Sequence, residues 1–191
     1  MTEARTRTQS RTRTQDPVGR RRALALAVLE VIAEVGVGRV THRAVATRAG
    51  VPLGATTYYF PTLTDLVASG LEELADRTRV ELSHWAEDLR SGDDLAADLA
   101  RLVEQYLSDR SRALLEYELY LAAARNPDLL PLVQIWLTGM RDLLEPVTGA
   151  GTAHTVTALI DGVLLQAVVT GSELDRNALE SALNGLLAPT R

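Results

Sequence analysis

Residues 41–60 read THRAVATRAGVPLGATTYYF, the pattern of two short helices joined by a tight turn. Thr41 suits an N-cap, its hydroxyl free to accept an orphan amide of the first turn. Val40, Ala44, Val45 and Ala49 fall on one helical face. Gly50 can take the left-handed conformation that ends such a helix. Val51 fills the corner, and Pro52 suits the first turn of the next helix. That second helix starts small, and Gly54 and Ala55 let its backbone approach another surface. It ends in Tyr58 and Tyr59, whose hydroxyls fall where the phosphates of a duplex would lie. The pattern predicts a helix-turn-helix whose second helix enters a DNA major groove.

The charge distribution around this stretch agrees. The chain has 191 residues and a net charge of −5. Residues 1–60 hold ten Arg against four acids, and the remainder holds ten Arg against 21 acids. A basic N-terminal third on an acidic body fits DNA contact at one end. All 20 basic residues are Arg, so every cationic phosphate contact must come from a guanidinium. The length suits a small DNA-binding domain plus a larger helical one. Cysteine is absent, which removes disulfides and thiolate metal sites. The first 22 residues are rich in Arg and Thr and lack the apolar centre of a signal peptide. The longest apolar run, Val156 to Thr170, contains Asp161 and Gln166 and falls short of a membrane span. A soluble, cytoplasmic protein without membrane attachment is expected.

Capping signals divide the chain into about nine helices, an all-α fold. Residues 1–16 form an Arg-rich tail, expected to be disordered. It is either an arm reaching along DNA or a solvated terminus. Residues 17–61 form a three-helix DNA-binding domain. Residues 62–191 form a second, larger helical domain. Within it, Thr62-x-x-Asp65 opens a long fourth helix. Asn126-Pro127-Asp128 opens the seventh, which ends near Pro146. A Gly-rich loop at Thr148–Thr152 precedes the eighth, and Ser172-x-x-Asp175 opens the ninth.

From Arg21 to Leu66 the chain resembles the DNA-binding domain of the TetR family of bacterial repressors. The features that match are apolar Leu24, Val28, Val31 and Ile32, then Gly36, Val40-Thr41, Ala49-Gly50-Val51, Tyr59-Phe60-Pro61 and Asp65-Leu66. The resemblance implies a homodimer that represses transcription from a palindromic double-stranded DNA operator and is released by a small-molecule effector, with residues 62–191 as the effector-binding and dimerisation domain; alternatively the dimer binds DNA without an effector, and that domain serves only dimerisation or a protein partner. Within this frame Arg43 can pair with guanine O6 and N7, or with phosphate. Thr41 and His42 sit at a helix N-terminus suited to phosphate. Pro52, Leu53, Gly54, Ala55 and Thr57 face the groove, where apolar groups meet thymine methyls. Tyr58 and Tyr59 contact phosphates or, alternatively, fill the core, for which Phe60 is better suited. Leu53, Thr57 and Leu63 depart from the family, which often has Lys or another polar residue at the first, Tyr at the second and Lys at the third. Base specificity is therefore not legible, and either the Arg-rich tail or Arg20 to Arg22 is expected to supply the missing phosphate anchors.

Beyond the DNA-binding domain the amphipathic aromatics Trp85, Tyr106, Tyr117, Tyr120 and Trp136 are concentrated in helices four to seven. With polar neighbours they suit a small-molecule pocket, or simply the core. Among the acids, Glu118 is preferred to Glu116 as a pocket residue. Helix eight carries Val156, Ile160, Val163, Leu164 and Ala167, and helix nine carries Leu183. These are candidates for a four-helix dimer interface, or for the core of a single subunit. Enzyme activity is not expected: His42, His84 and His154 are far apart, no phosphate-binding Gly loop is present, and Glu116 and Glu118 point away from each other on a helix. No catalytic residue, metal site or cofactor is expected.

Overall fold

The computed structural model describes residues 16–188. Apart from Asp16, the Arg-rich tail lies outside those residues. Nine α-helices and two short 3-10 turns account for the described chain, with no strand among the described residues. Asp16 accepts the Gly19 amide at 2.9 Å and starts α1, Pro17–Val35. A 3-10 turn, Val37–Arg39, leads to α2, His42–Ala49, and α3, Leu53–Tyr59. These three helices pack together as the N-terminal head.

Helix α4, Leu63–Ser91, is 29 residues long and starts in a complete capping box: the Asp65 amide donates to the Thr62 hydroxyl, and the Thr62 amide donates back to the Asp65 carboxylate. It is followed by α5, Leu95–Leu107, and α6, Arg110–Arg125. A second 3-10 turn, Pro127–Leu129, precedes α7, Leu130–Thr148; α8 is Ala150–Thr170 and α9 is Arg176–Leu187.

Local expectations fail at four ends. Pro52 is the extended residue before α3 rather than its first helical residue. Asn126 caps a 3-10 turn, so α7 proper begins at Leu130. Helix α7 then runs through Pro146, and the expected Gly-rich loop shrinks to Gly149. Finally, Asp175 caps α9 by accepting the Ala178 amide at 2.9 Å, while Ser172 turns back to Thr170.

Two apolar cores result. One joins α1–α3 to the first half of α4, through Leu24, Val28, Val45, Phe60, Leu66 and Leu71. A side chain on Gly70 of α4 would run into Val28 of α1, so only glycine allows this approach. Leu115, Leu119 and Ala123 of α6 and Val133 of α7 also belong to this core. The head is thus seated on α6 as well as on α4. The other core lies among α4–α9, around Trp85, Tyr106, Trp136, Met140 and Ile160.

Candidate nucleic-acid interface and effector core

Short-range bonds build the head. The Thr41 hydroxyl accepts the Ala44 amide at 3.1 Å, and Gly50 ends α2 at φ 65°, ψ 33°. Arg48 ties α2 to α1 through Glu30 at 3.1 Å and Glu34 at 2.5 Å. Buried Thr56 donates to the Leu53 carbonyl at 2.7 Å, which fixes the inner side of α3. The sequence reading passed over Thr56, whose role depends on which side of a two-turn helix faces in.

The outer side of the same pair is open. Thr41, Arg43, Pro52, Leu53, Gly54 and Thr57 are exposed, and a Cβ on Gly54 would meet nothing within 4 Å. His42 and Ala55 are half-buried, and the His42 Nδ1 is buried without a hydrogen-bond partner among the described residues. Tyr58 is 80% exposed, whereas Phe60 is 1% exposed. Tyr59 is half-buried, edge-on to Tyr58 with centroids 5.1 Å apart. Of the arginines before the motif, Arg22 is held by Glu73 at 2.7 Å, and Arg21 lies over the Phe60 ring, 5.0 Å from its centroid. Arg22 thus fastens α1 to α4, and Arg21 packs within the head.

In the second core the aromatics meet. Trp136 lies 5.5 Å from Trp85 and 5.8 Å from Tyr106, centroid to centroid. All three are buried. Trp136 Nε1 donates to Asp161 at 2.8 Å, and the Tyr117 hydroxyl donates to the Asp161 carbonyl at 3.0 Å. Tyr120 packs 5.8 Å from Tyr117, its hydroxyl buried without a partner among the described residues. Trp85 Nε1 donates to Glu81 at 3.1 Å, and Arg112 reaches Glu81 at 3.1 Å and Glu116 at 3.6 Å. The Arg112 guanidinium stands 4.9 Å from the centroid of Tyr106.

Burial dominates the protonation chemistry of this cluster. It raises the Glu116 carboxyl above its ordinary value, although Tyr106, Arg112 and Thr78 work in the opposite sense. Burial also raises Asp161, against the Trp136 hydrogen bond. The Tyr106, Tyr117 and Tyr120 hydroxyls are all pushed up, chiefly by burial. Burial favours the neutral form of Arg112, but Glu81 and Glu116 outweigh it and hold the guanidinium charged.

Glu118 stands apart from this cluster. It lines a groove of about 610 Å3 between the head and α6–α7, together with Leu63, Val67, Ala122, Arg125 and Leu132. The buried acid on α6 is Glu116. The four-residue spacing of Arg112 and Glu116 was the available signal for it.

The interface candidates of helices eight and nine divide by burial. Val156, Ile160, Leu164 and Ala167 of α8 and Leu183 of α9 are buried in the subunit's own core, and only Val163 is half-exposed. The outward stripe of α8 is Ala158, Gly162, Leu165 and Val169, with Val169 73% exposed. On α9, Ala178, Ala182 and Leu186 face out beside it. By length and composition α8 could also cross a membrane, contrary to the reading of its sequence; its inner face is packed into the core.

Residues 90–189 match the family model described as tetracyclin repressor-like, C-terminal domain. A TetR-family member from Streptomyces coelicolor A3 superposes with a TM-score of 0.79 at 36% identity, over 90% of this chain and 99% of that one. The multidrug binding protein EbrR in complex with imidazole superposes with a TM-score of 0.78 at 35% identity, over 92% and 98%. Further EbrR structures hold proflavin, ethidium and malachite green. The regulator BetI of Escherichia coli (strain K12) is 27% identical over 176 residues, covering 85% of this chain and 89% of BetI. Because these likenesses extend well beyond the helix-turn-helix and over nearly the whole chain, the chain belongs to the TetR family of transcriptional regulators.

Proposed function

We propose that the chain is a homodimeric repressor, released from a palindromic operator by a small organic effector. The observation that carries the DNA-binding part is the one-sided construction of α2–α3. Val45, Thr56 and Phe60 are buried, while Arg43, Leu53, Gly54, Thr57 and Tyr58 are left exposed on one short surface. Thr41 and His42 join it at the α2 N-terminus, where amides favour phosphate. Pro52, Ala55 and Tyr59 complete the reading surface. Selection of duplexes from a random pool tests this reading. It predicts a palindrome with half-sites about 34–36 Å apart; recovery of no preferred sequence would remove it.

The dimer forms through the outward stripes of α8 and α9. Small Ala158, Gly162, Ala178 and Ala182 permit close helix approach, and Leu165, Val169 and Leu186 supply apolar area. Because Val169 is exposed in the subunit, Val169→Arg should leave it folded and yield monomers by light scattering. An intact dimer would put the interface elsewhere.

The effector enters the cluster of Trp85, Tyr106, Tyr117, Tyr120 and Trp136, which must open to admit it. Buried Glu116 and half-buried Asp161, acids beside aromatic faces, favour a planar organic cation. EbrR, which binds proflavin, ethidium and malachite green, supports that class. Glu118 faces the neighbouring groove and would contact the effector only at the edge of the site. Both tryptophans lie in the cluster, so quenching of tryptophan emission by malachite green in the absence of DNA tests the assignment. Unchanged emission up to millimolar dye would exclude this class. The family consists of transcriptional regulators, and the protein acts without catalysis, in the cytoplasm.

A further inference from the structure

The bend between α1 and α2 is held from the middle of the chain, by α6. Gly36 ends α1 at φ 77° and ψ 157°, a conformation that side-chain-bearing residues rarely adopt. Gly36 is also the N-cap residue of the 3-10 turn Val37–Arg39 and has no side chain with which to cap it. The first amide of that turn is therefore an orphan donor. Glu118 of α6 supplies the acceptor: the Val37 N–H donates to Glu118 Oε2 at 3.2 Å, across 81 residues of sequence. The other oxygen, Oε1, lies 3.5 Å from where a Cβ on Gly36 would stand, so the carboxylate covers the bend. On the adjoining arc of α6, Leu115, Leu119 and Ala123 pack into the head's core. Four residues after Val37, Thr41 caps α2. The bond thus acts just ahead of α2, the helix from which α3 follows.

We propose that Glu118 is a positioning residue for DNA binding, its carboxylate fixing the bend from which α2 and α3 project. The proposal rests on the reading of α2–α3 as the DNA-contacting surface. It makes a prediction opposite to simple electrostatics. Removing a negative charge from a DNA-binding protein strengthens binding to a polyanion. Removing the acceptor for Val37 weakens it, because the reading helices lose their fixed pitch.

The full-length chain and a duplex that it selects from a random pool provide the test, with dissociation constants measured at one salt concentration. Glu118→Gln retains a carbonyl oxygen for the Val37 amide and loses the charge. Glu118→Leu loses both. The expected result is that E118Q binds as tightly as the parent or tighter, and that E118L binds about 5- to 30-fold more weakly. Hydrogen exchange at Val37–Arg39 in DNA-free protein should rise in E118L alone. An E118L that binds at least as tightly as the parent overturns the proposal, as does equal weakening by E118Q and E118L.

Val37→Pro removes the donor instead, at a first-turn position where proline is tolerated. Its loss of affinity should match that of E118L, and the double variant should lose no more than either single one. Additive losses would overturn the proposal even if E118L proved unstable. Failure of the underlying reading is separable: there, Arg43→Ala and Tyr58→Ala would leave binding untouched. The proposal alone fails when those two weaken binding and E118L does not.

Discussion

In the reading head Tyr58 stands 80% exposed, and Phe60, two residues later, is 1% exposed. In the second core Tyr106 is 4% exposed, wedged between a guanidinium and two indoles. The head keeps Tyr58 outside and the purely apolar Phe60 inside. The second core buries Trp85, Tyr106, Trp136 and Glu116, with Asp161 and Arg112 half-buried beside them. The head's proposed reading surface is largely exposed, so substitutions there are expected to leave the protein folded. In the second core the candidate binding groups are also the packing groups, and a buried polar network left half-satisfied is costly.

The largest expected difference between the two regions is their response to salt. If the dimer makes about 6–10 phosphate contacts, affinity for its operator should fall about 10³- to 10⁵-fold from 50 to 200 mM salt. The unfolding midpoint, governed by the cores, should hardly move. An operator affinity indifferent to salt would break the comparison at the head.

Next come the aromatics themselves. Trp136→Ala should cost about 3–5 kcal/mol of stability, because it empties a closed site and strands the Asp161 carboxylate. Tyr58→Ala should stay within about 0.5 kcal/mol while weakening DNA binding. Denaturant melts of the two variants measure both; similar losses would show that Tyr58 is structural. A third effect is smaller and local to the head. Arg43→Ala should cost roughly 1–3 kcal/mol per half-site and relax preference at one base pair. Uniform weakening across sequences would assign Arg43 to phosphate.

The smallest effect sharpens the picture of the second core. Glu116 has an ordinary value of 4.5 and is raised in the folded state, first by burial. Between those two values the folded protein holds a proton that the unfolded chain has released. Stability therefore falls as pH rises through that window. Glu116→Gln should flatten the dependence of melting temperature on pH there. An equal slope in both proteins would transfer the effect to Asp161, whose carboxyl is also raised by burial.

Short-range features were legible because their causes are short-range. The Thr41 cap, the left-handed Gly50, the Thr62–Asp65 box and the apolar stripe of α1 each follow from bonds or contacts within four residues. The order of the helices and the exposed side of α2–α3 followed from them. Family resemblance from Arg21 to Leu66 carried the reading from motif to regulator. It could not reach the second half, where few residues take part in a local motif.

What the sequence determined on its own was the set of helices, the position of the turn and the charge that separates the two ends. Only the tertiary structure decided which stripe of α8 faces outward, since its sequence is apolar nearly all round and packing against α7 chose the inner side. Only the fold brought Trp85, Tyr106 and Trp136 together from three helices. Likewise, the choice of Glu118 to hold Val37, and of Glu116 to enter the core, depended on the seating of α6 between the two cores. Such pairings lie tens of residues apart in sequence, and no local energy distinguishes them until the helices have packed.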